Sequence, residues 1–319
     1  MKKIISLAVV LAMVLTCTAF ADGLPGGKKL IFSTGGAQGT YYGFGGVLAG
    51  KVGEKTSTTI TAITSGGSKA NIEAMEDGDA QIAFVQSDVG AYAYKGTRLF
   101  ENKVTDFSTV ANLYMEQVQI VTLDPAIKTV ADLKGKNVSV GAAGSGVYFN
   151  AVDILKVYGL DIDNDINPTY QSFGDSVEAL QDGKIDAAFI VAGAPTTAVT
   201  SLAAAKKIYL VGLDDEHILK LLGESPYYSQ NIIPKEFYGT DYDVTTVAVG
   251  AVVIALDDVS EVDVYNFLTG VFDNIEEIKE AHAKGAELKL DFAAGYTAVP
   301  YHKGAVKYFG EKGIQVTGK

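Results

Sequence analysis

The 319-residue chain carries 26 Lys and Arg against 38 Asp and Glu, with 48% hydrophobic and 20% charged residues. That acidic balance excludes a nucleic-acid partner, which needs a clustered basic surface, and the apolar content excludes a disordered chain. The single cysteine, Cys17, excludes a disulfide framework.

The first residues read as an export signal. Lys2 and Lys3 form a basic start, Ile4 to Leu15 an apolar middle, and Ala19-Phe20-Ala21 an A-x-A cleavage site. The apolar run is shorter than the ~20 residues needed to span a bilayer. Lipidation would use Cys17, but Thr16 is a poor residue before a lipidated cysteine, so soluble export to the periplasm with cleavage after Ala21 is expected. Removing residues 1–21 leaves 24 basic and 38 acidic residues, a net charge of −14, and no thiol. Roughly 300 remaining residues suit two domains.

Strand-like and helical runs then alternate. Lys29 to Ser33 predicts a strand and Tyr41 to Glu54 a helix with Phe44, Val47, Leu48 and Val52 on one side. Strands follow at Thr58 to Thr64 and Gln81 to Gln86, with helices at Ser68 to Met75 and from Asp88 to Tyr94. Val118 to Leu123 predicts a strand that stops at Asp124-Pro125. A short helix at Val130 to Gly135 precedes a second cycle. That cycle has strands at Val138 to Val140, Asn167 to Ser172, Asp186 to Val191 and Ile208 to Leu213. Its helices fall at Val147 to Tyr158, Ser176 to Gln181 and Pro195 to Ala205. Ser225 to Asp243 reads as an irregular connection, Val244 to Leu256 as a long returning strand, and Asp263 to Ala283 as an amphipathic helix. Such alternation predicts an α/β fold of two lobes, each a mostly parallel sheet flanked by helices. The expected division is 22–123 plus 245–319 against 124–244, with hinges near Leu123 and Val249.

The two cycles echo each other. Lys29 to Tyr42 and Lys136 to Phe149 each run strand, glycine-rich turn, then an aromatic pair opening a helix. Glu73-Ala74-Met75-Glu76-Asp77-Gly78 is answered by Glu178-Ala179-Leu180-Gln181-Asp182-Gly183, and Ala83-Phe84-Val85 by Ala188-Phe189-Ile190. Glycine turns let backbone amides approach a ligand, and the following helix N-terminus favours negative charge. A single such turn is more often an ordinary connection. Two at equivalent positions point to a small anion held between the lobes.

Several of these strings resemble one family in order along the chain. Phe32 to Tyr42, Thr64-Ser65-Gly66-Gly67-Ser68, Gly78 to Asp88, Gly141 to Gly146 and Tyr301 to Tyr308 are similar to motifs of the TAXI proteins, solute receptors of TRAP transporters. Gly43 and Lys303 stand where that family commonly has proline. The resemblance implies a type II periplasmic-binding fold that closes on one small solute. It also implies a sodium-driven TRAP membrane subunit as partner, and ligands such as glutamate, glutamine or a dicarboxylate. A monomer without cofactor is expected.

The candidate ligand-binding residues follow from the rims of the predicted sheets. They are Thr34, Gly35, Gly39, Thr40 and Tyr41 after the first strand; Ser65, Gly67 and Ser68 after the second; and Gln86 after the third. In the second lobe they are Ser145, Gly146, Val147, Tyr148, Gly193 and Pro195. Ser68 reads equally as a helix cap and Asp88 as another, while Tyr41 and Tyr148 fit a ligand wall or the core. Arg98, the only arginine, reads as a lobe-edge residue rather than a carboxylate clamp, and His302 as a structural hydrogen bonder. His217, His282 and His302 share no metal-ligand spacing. No nucleophile elbow surrounds Ser145, because Ala143 holds the first glycine position, and the Rossmann pattern lacks its third glycine. An ABC-importer receptor and a periplasmic enzyme on the same fold remain as alternatives.

Overall fold

The computed structural model describes residues 29–319; the export signal expected at residues 1–21, with Cys17 and the expected cleavage site, lies outside them. The first half opens with β1 (Leu30–Ser33), α1 (Thr40–Lys55), β2 (Ile60–Ile63), α2 (Ser68–Glu76), β3 (Ile82–Gln86) and α3 (Ser87–Lys95). A long strand, β4 (Phe107–Thr122), leads into β5 (Asn137–Ser139), α4 (Val147–Val157), β6 (Asn167–Thr169), α5 (Phe173–Gln181) and β7 (Ala187–Ala192). Then come α6 (Thr197–Ala205), β8 (Tyr209–Val211), α7 (Asp215–Glu224), β9 (Ser229–Ile233) and a second long strand, β10 (Val244–Leu256). The chain ends with α8 (Glu261–Phe272), α9 (Ile275–Ala281), α10 (Leu290–Ala293) and α11 (Lys303–Glu311).

Among the described residues, all ten strands form one sheet in the order β2-β1-β3-β10-β4-β7-β5-β6, with β8 also on β4 and β9 on β10. β1 lies parallel between β2 and β3, and β5 parallel between β6 and β7. These are the two halves that the sequence echo foretold. Parallel neighbours need a crossover, and the helices that supply it cover both faces. The echo extends to the helix ends. Gly78 and Gly183 follow α2 and α5 at φ +79° and +66°, a left-handed turn that glycine adopts without strain.

The two long strands join the halves. β10 pairs antiparallel with β4 from Leu256↔Phe107 to Ala248↔Gln117. From Gln117 onward β4 pairs with β7 instead, while β10 from Ala248 back to Val244 pairs with β9. The core follows this division. Phe32, Phe44, Phe84, Phe267 and Phe309 pack in the first half, and Val138, Ile154, Phe189 and Leu221 in the second, all with essentially no exposure.

Several elements differ from their sequence expectation. β4 starts at Phe107 rather than Val118, because Asn112, Glu116 and Gln117 interrupt its apolar run yet are buried. The helix expected over Asp263 to Ala283 is two. The Asn274 amide donates to the Thr269 and Gly270 carbonyls and ends α8 by competing with its backbone ladder. The connection expected to be irregular contains β9. Helices α7, α10 and α11 are not among the predicted elements, although Asp214 caps α7 by accepting from the His217 amide. His302 caps α11: Nδ1 accepts from the Gly304 amide, so Nε2 carries the hydrogen it donates to the Val259 carbonyl.

Candidate functional site

Because β1 and β5 run in equivalent directions, the glycine turns at their C-terminal ends face each other across a cavity of about 180 Å³. That is smaller than the roughly 300–1,000 Å³ of sites for drug-sized molecules, so the space suits a small metabolite. Gly35, Gly39, Thr40 and Tyr41 line it from the first half, and Ser145, Gly146 and Val147 from the second. Ser65, Gly67, Ser68 and Gln86 complete the first wall. Helices α1 and α4 begin at the cavity behind Gly39 and Gly146, neither of which carries a side-chain cap. Their first amides are therefore available to an anion.

Contacts between the halves close the rim. The Thr40 hydroxyl donates to the Gly193 carbonyl at 2.8 Å, and the Ala198 amide at the start of α6 to the Gln38 carbonyl at 3.2 Å. The first amides of α2, on Lys69 and Ala70, both donate to the Gly144 carbonyl at 3.0 Å. The N-terminus of α2 is thus capped by the opposite half rather than turned to the solute. Gly146 lies so close to Gln86 that a β-carbon there would fall 1.9 Å from Oε1.

Four buried polar atoms on the wall have no hydrogen-bond partner: the Tyr41 and Ser145 hydroxyls, Gln86 Oε1 and Glu116 Oε1. Buried polar groups are normally paired, and leaving one unpaired costs roughly 1–3 kcal/mol. Here they mark where a solute would bond. The Tyr41 ring is held by stacking on Phe84, with centroids 4.6 Å apart and planes 5° from parallel. Burial, then the neighbouring Glu116 carboxylate, pushes its hydroxyl well above the usual phenol range. The two groups perturb each other without meeting the geometry of a formed hydrogen bond. Burial likewise pushes the Glu116 carboxyl well above the usual carboxylate range.

The profile of the NMT1-like family matches residues 32–313. The chain belongs to the NMT1-like family. This NMT1-like chain has the type II fold of periplasmic solute-binding proteins. The alkanesulfonate-binding protein SsuA from Xanthomonas axonopodis pv. citri superposes with a TM-score of 0.52 at 15% identity, covering 90% of this chain and 91% of that one. A candidate L-cystine ABC transporter protein from Listeria monocytogenes gives 0.52 at 17% identity, covering 82% and 98%. At such identities these likenesses speak for the fold.

Other candidate residues of this NMT1-like chain lie outside the cavity lining. Thr34 sits beneath it, donating to the Ile63 carbonyl and accepting from Asn71 Nδ2 through its own carbonyl. Gly193 contributes its carbonyl to Thr40 at the rim, and Pro195, two residues on, is exposed. Tyr148 faces a separate cleft with Lys69 and Leu99, its ring 6.1 Å from Tyr170. Ser68 is no cap: it is the first residue of α2, and its Oγ accepts from the Gln86 amide at 3.0 Å. Asp88 is no simple cap either. It is fully buried in the first turn of α3 and accepts from Asn150 Nδ2, across the halves, at 3.1 Å. Arg98 lies at the edge of the two halves, paired with Asp153.

Sequence reasoning missed Glu116 and Phe173. Phe173 opens α5 and lines the cavity opposite Gly39, a role no local pattern announces. Glu116 did leave a signal, a lone carboxylate inside an otherwise strand-like run from Asn112 to Thr122.

Proposed function

We propose that this NMT1-like chain is an exported solute receptor of TAXI type. It captures a small carboxylate, an amino acid or a dicarboxylate, and hands it to a sodium-driven TRAP transporter without chemical change. Residues 22–123 with 245–319 form one closing body and 124–244 the other, with the long strands β4 and β10 as hinges. Cleavage after Ala21 frees the receptor in the periplasm. The observation that carries this reading is the inter-half cavity, where two uncapped helix N-termini meet unpartnered buried polar atoms. Each helix end supplies ~0.3–1 kcal/mol for an anion, and each charge-assisted hydrogen bond roughly 1.5–3 kcal/mol. A few of these approach the ~8 kcal/mol of micromolar binding. The net negative charge is no obstacle, because screening over ~8 Å mutes remote surface charges.

Thermal-shift screening over a carboxylate library tests the reading. A bound solute at a hundred times its dissociation constant stabilises the protein by ~2.7 kcal/mol; a flat response across the library would refute it. Delivery to an ABC importer is a second reading, supported by the description of the Listeria monocytogenes relative as an ABC transporter protein. An adjacent ATPase gene, in place of a multispanning TRAP permease gene, would favour it.

A further inference from the structure

Glu116 is the cavity group that a purely anionic solute leaves unanswered. It stands on β4, 1% exposed, with Gln86 Nε2 donating weakly to Oε2 at 3.5 Å and nothing donating to Oε1. Gln86 Oε1 beside it is also without a donor. Both are acceptors, so this wall calls for N–H or O–H groups from the solute. The buried Lys284 does not answer it. Its ammonium is paired with Glu287 and lies 5.6 Å from the centre of the Tyr114 ring. A carboxylate placed at this wall could accept from the Tyr41 hydroxyl, but it would add a further acceptor and leave Glu116 Oε1 and Gln86 Oε1 without a donor. An ammonium brings three donors and a countercharge, enough for Glu116 Oε1, Gln86 Oε1 and the Tyr41 hydroxyl together. A protonated Glu116 donating to a carboxylate would still leave Gln86 Oε1 unmet.

We propose that Glu116 is the specificity-determining residue of the cavity, gripping the amino group of a zwitterionic solute and so rejecting dicarboxylates of the same skeleton. The proposal rests on the carboxylate-receptor reading for the other end of the solute, at the N-termini of α1 and α4. Isothermal titration of the whole mature chain tests it, using amino acids paired with the oxo acids of the same skeletons, L-glutamate against 2-oxoglutarate among them. The expected result is a preference for the amino compound of about thirtyfold, from one charge-assisted contact. Glu116→Gln, which keeps the shape, should reduce that preference to about threefold or less by weakening the amino compound alone. An oxo acid bound as tightly as its amino partner by the wild type would overturn the proposal without any variant. So would a Glu116→Gln loss equal for both partners, or no binding by any amine-bearing compound. Putrescine, an amine without a carboxylate, separates the two claims. If it binds in a Glu116-dependent way while no carboxylate binds, Glu116 keeps its role and the carboxylate reading fails.

Discussion

Asp88 should make this protein less stable as pH rises through the acidic range, and Asp88→Asn should abolish that loss. The carboxyl is fully buried, with Oδ2 bonded to Asn150 and Oδ1 unpartnered. Burial first, and the charge of Asp153 second, push it up from 3.8 to about 7. Below pH 4 the group is protonated in both folded and unfolded chains and contributes no difference. Between about pH 4 and 7 the unfolded chain has lost its proton while the folded one keeps it, so stability falls with each pH unit. At 1.36 kcal/mol per unit the total is about 4 kcal/mol, worth roughly 8 °C in a chain of this size. Above pH 7 the loss is complete and constant. Asparagine matches the aspartate in shape and keeps an oxygen to accept from Asn150 Nδ2. Melting temperatures of both proteins from pH 4 to 8 provide the assay. The variant should gain on the wild type steadily up to pH 7 and hold that gain beyond it. Parallel profiles over the whole range would refute the reasoning.

Three further predictions concern the cavity and its rim. Tyr41→Phe removes a buried hydroxyl that has no partner while keeping the ring on Phe84. The empty protein should keep its melting temperature or gain slightly, and solute affinity should fall about tenfold by calorimetry; a marked loss of stability without solute would contradict an unpaired hydroxyl. Gly146→Ala puts a β-carbon 1.9 Å from Gln86 Oε1 and 2.5 Å from its Cδ. It should fold normally by circular dichroism yet lose most of the solute-induced thermal shift, and an unchanged shift would mean the halves need not meet there. Arg98→Ala breaks the ion pair with Asp153 and removes the guanidinium from the Tyr92 and Phe149 rings, 5.1 and 5.9 Å away. The arginine side chain is 32% exposed, so its loss should cost less than about tenfold in affinity; a hundredfold loss would make it part of the solute's grip.

What could be read from the residues was what neighbouring residues decide. The doubled strand–turn–helix plan, the glycines at the ends of α2 and α5, and the bounds of β10 all rest on local periodicity and backbone preference. Eleven of the fifteen candidate site residues line the cavity, because turns at the ends of parallel strands gather on one rim whatever their detail. Thr34, Tyr148, Gly193 and Pro195 fall elsewhere, since which way a rim side chain turns depends on what packs against it. The same limit hid the start of β4. Its buried polar residues look like a loop until β10 and β7 supply their partners from far along the chain.

By itself, then, the amino-acid order determined two α/β halves and a shared rim of glycine turns. Only the tertiary structure decided that α2 is capped by Gly144 from the opposite half, and that Glu116 lies buried and half-paired at the cavity wall. The reason is that hydrogen-bond satisfaction and burial are properties of groups brought together in space, and no spacing along the chain records them.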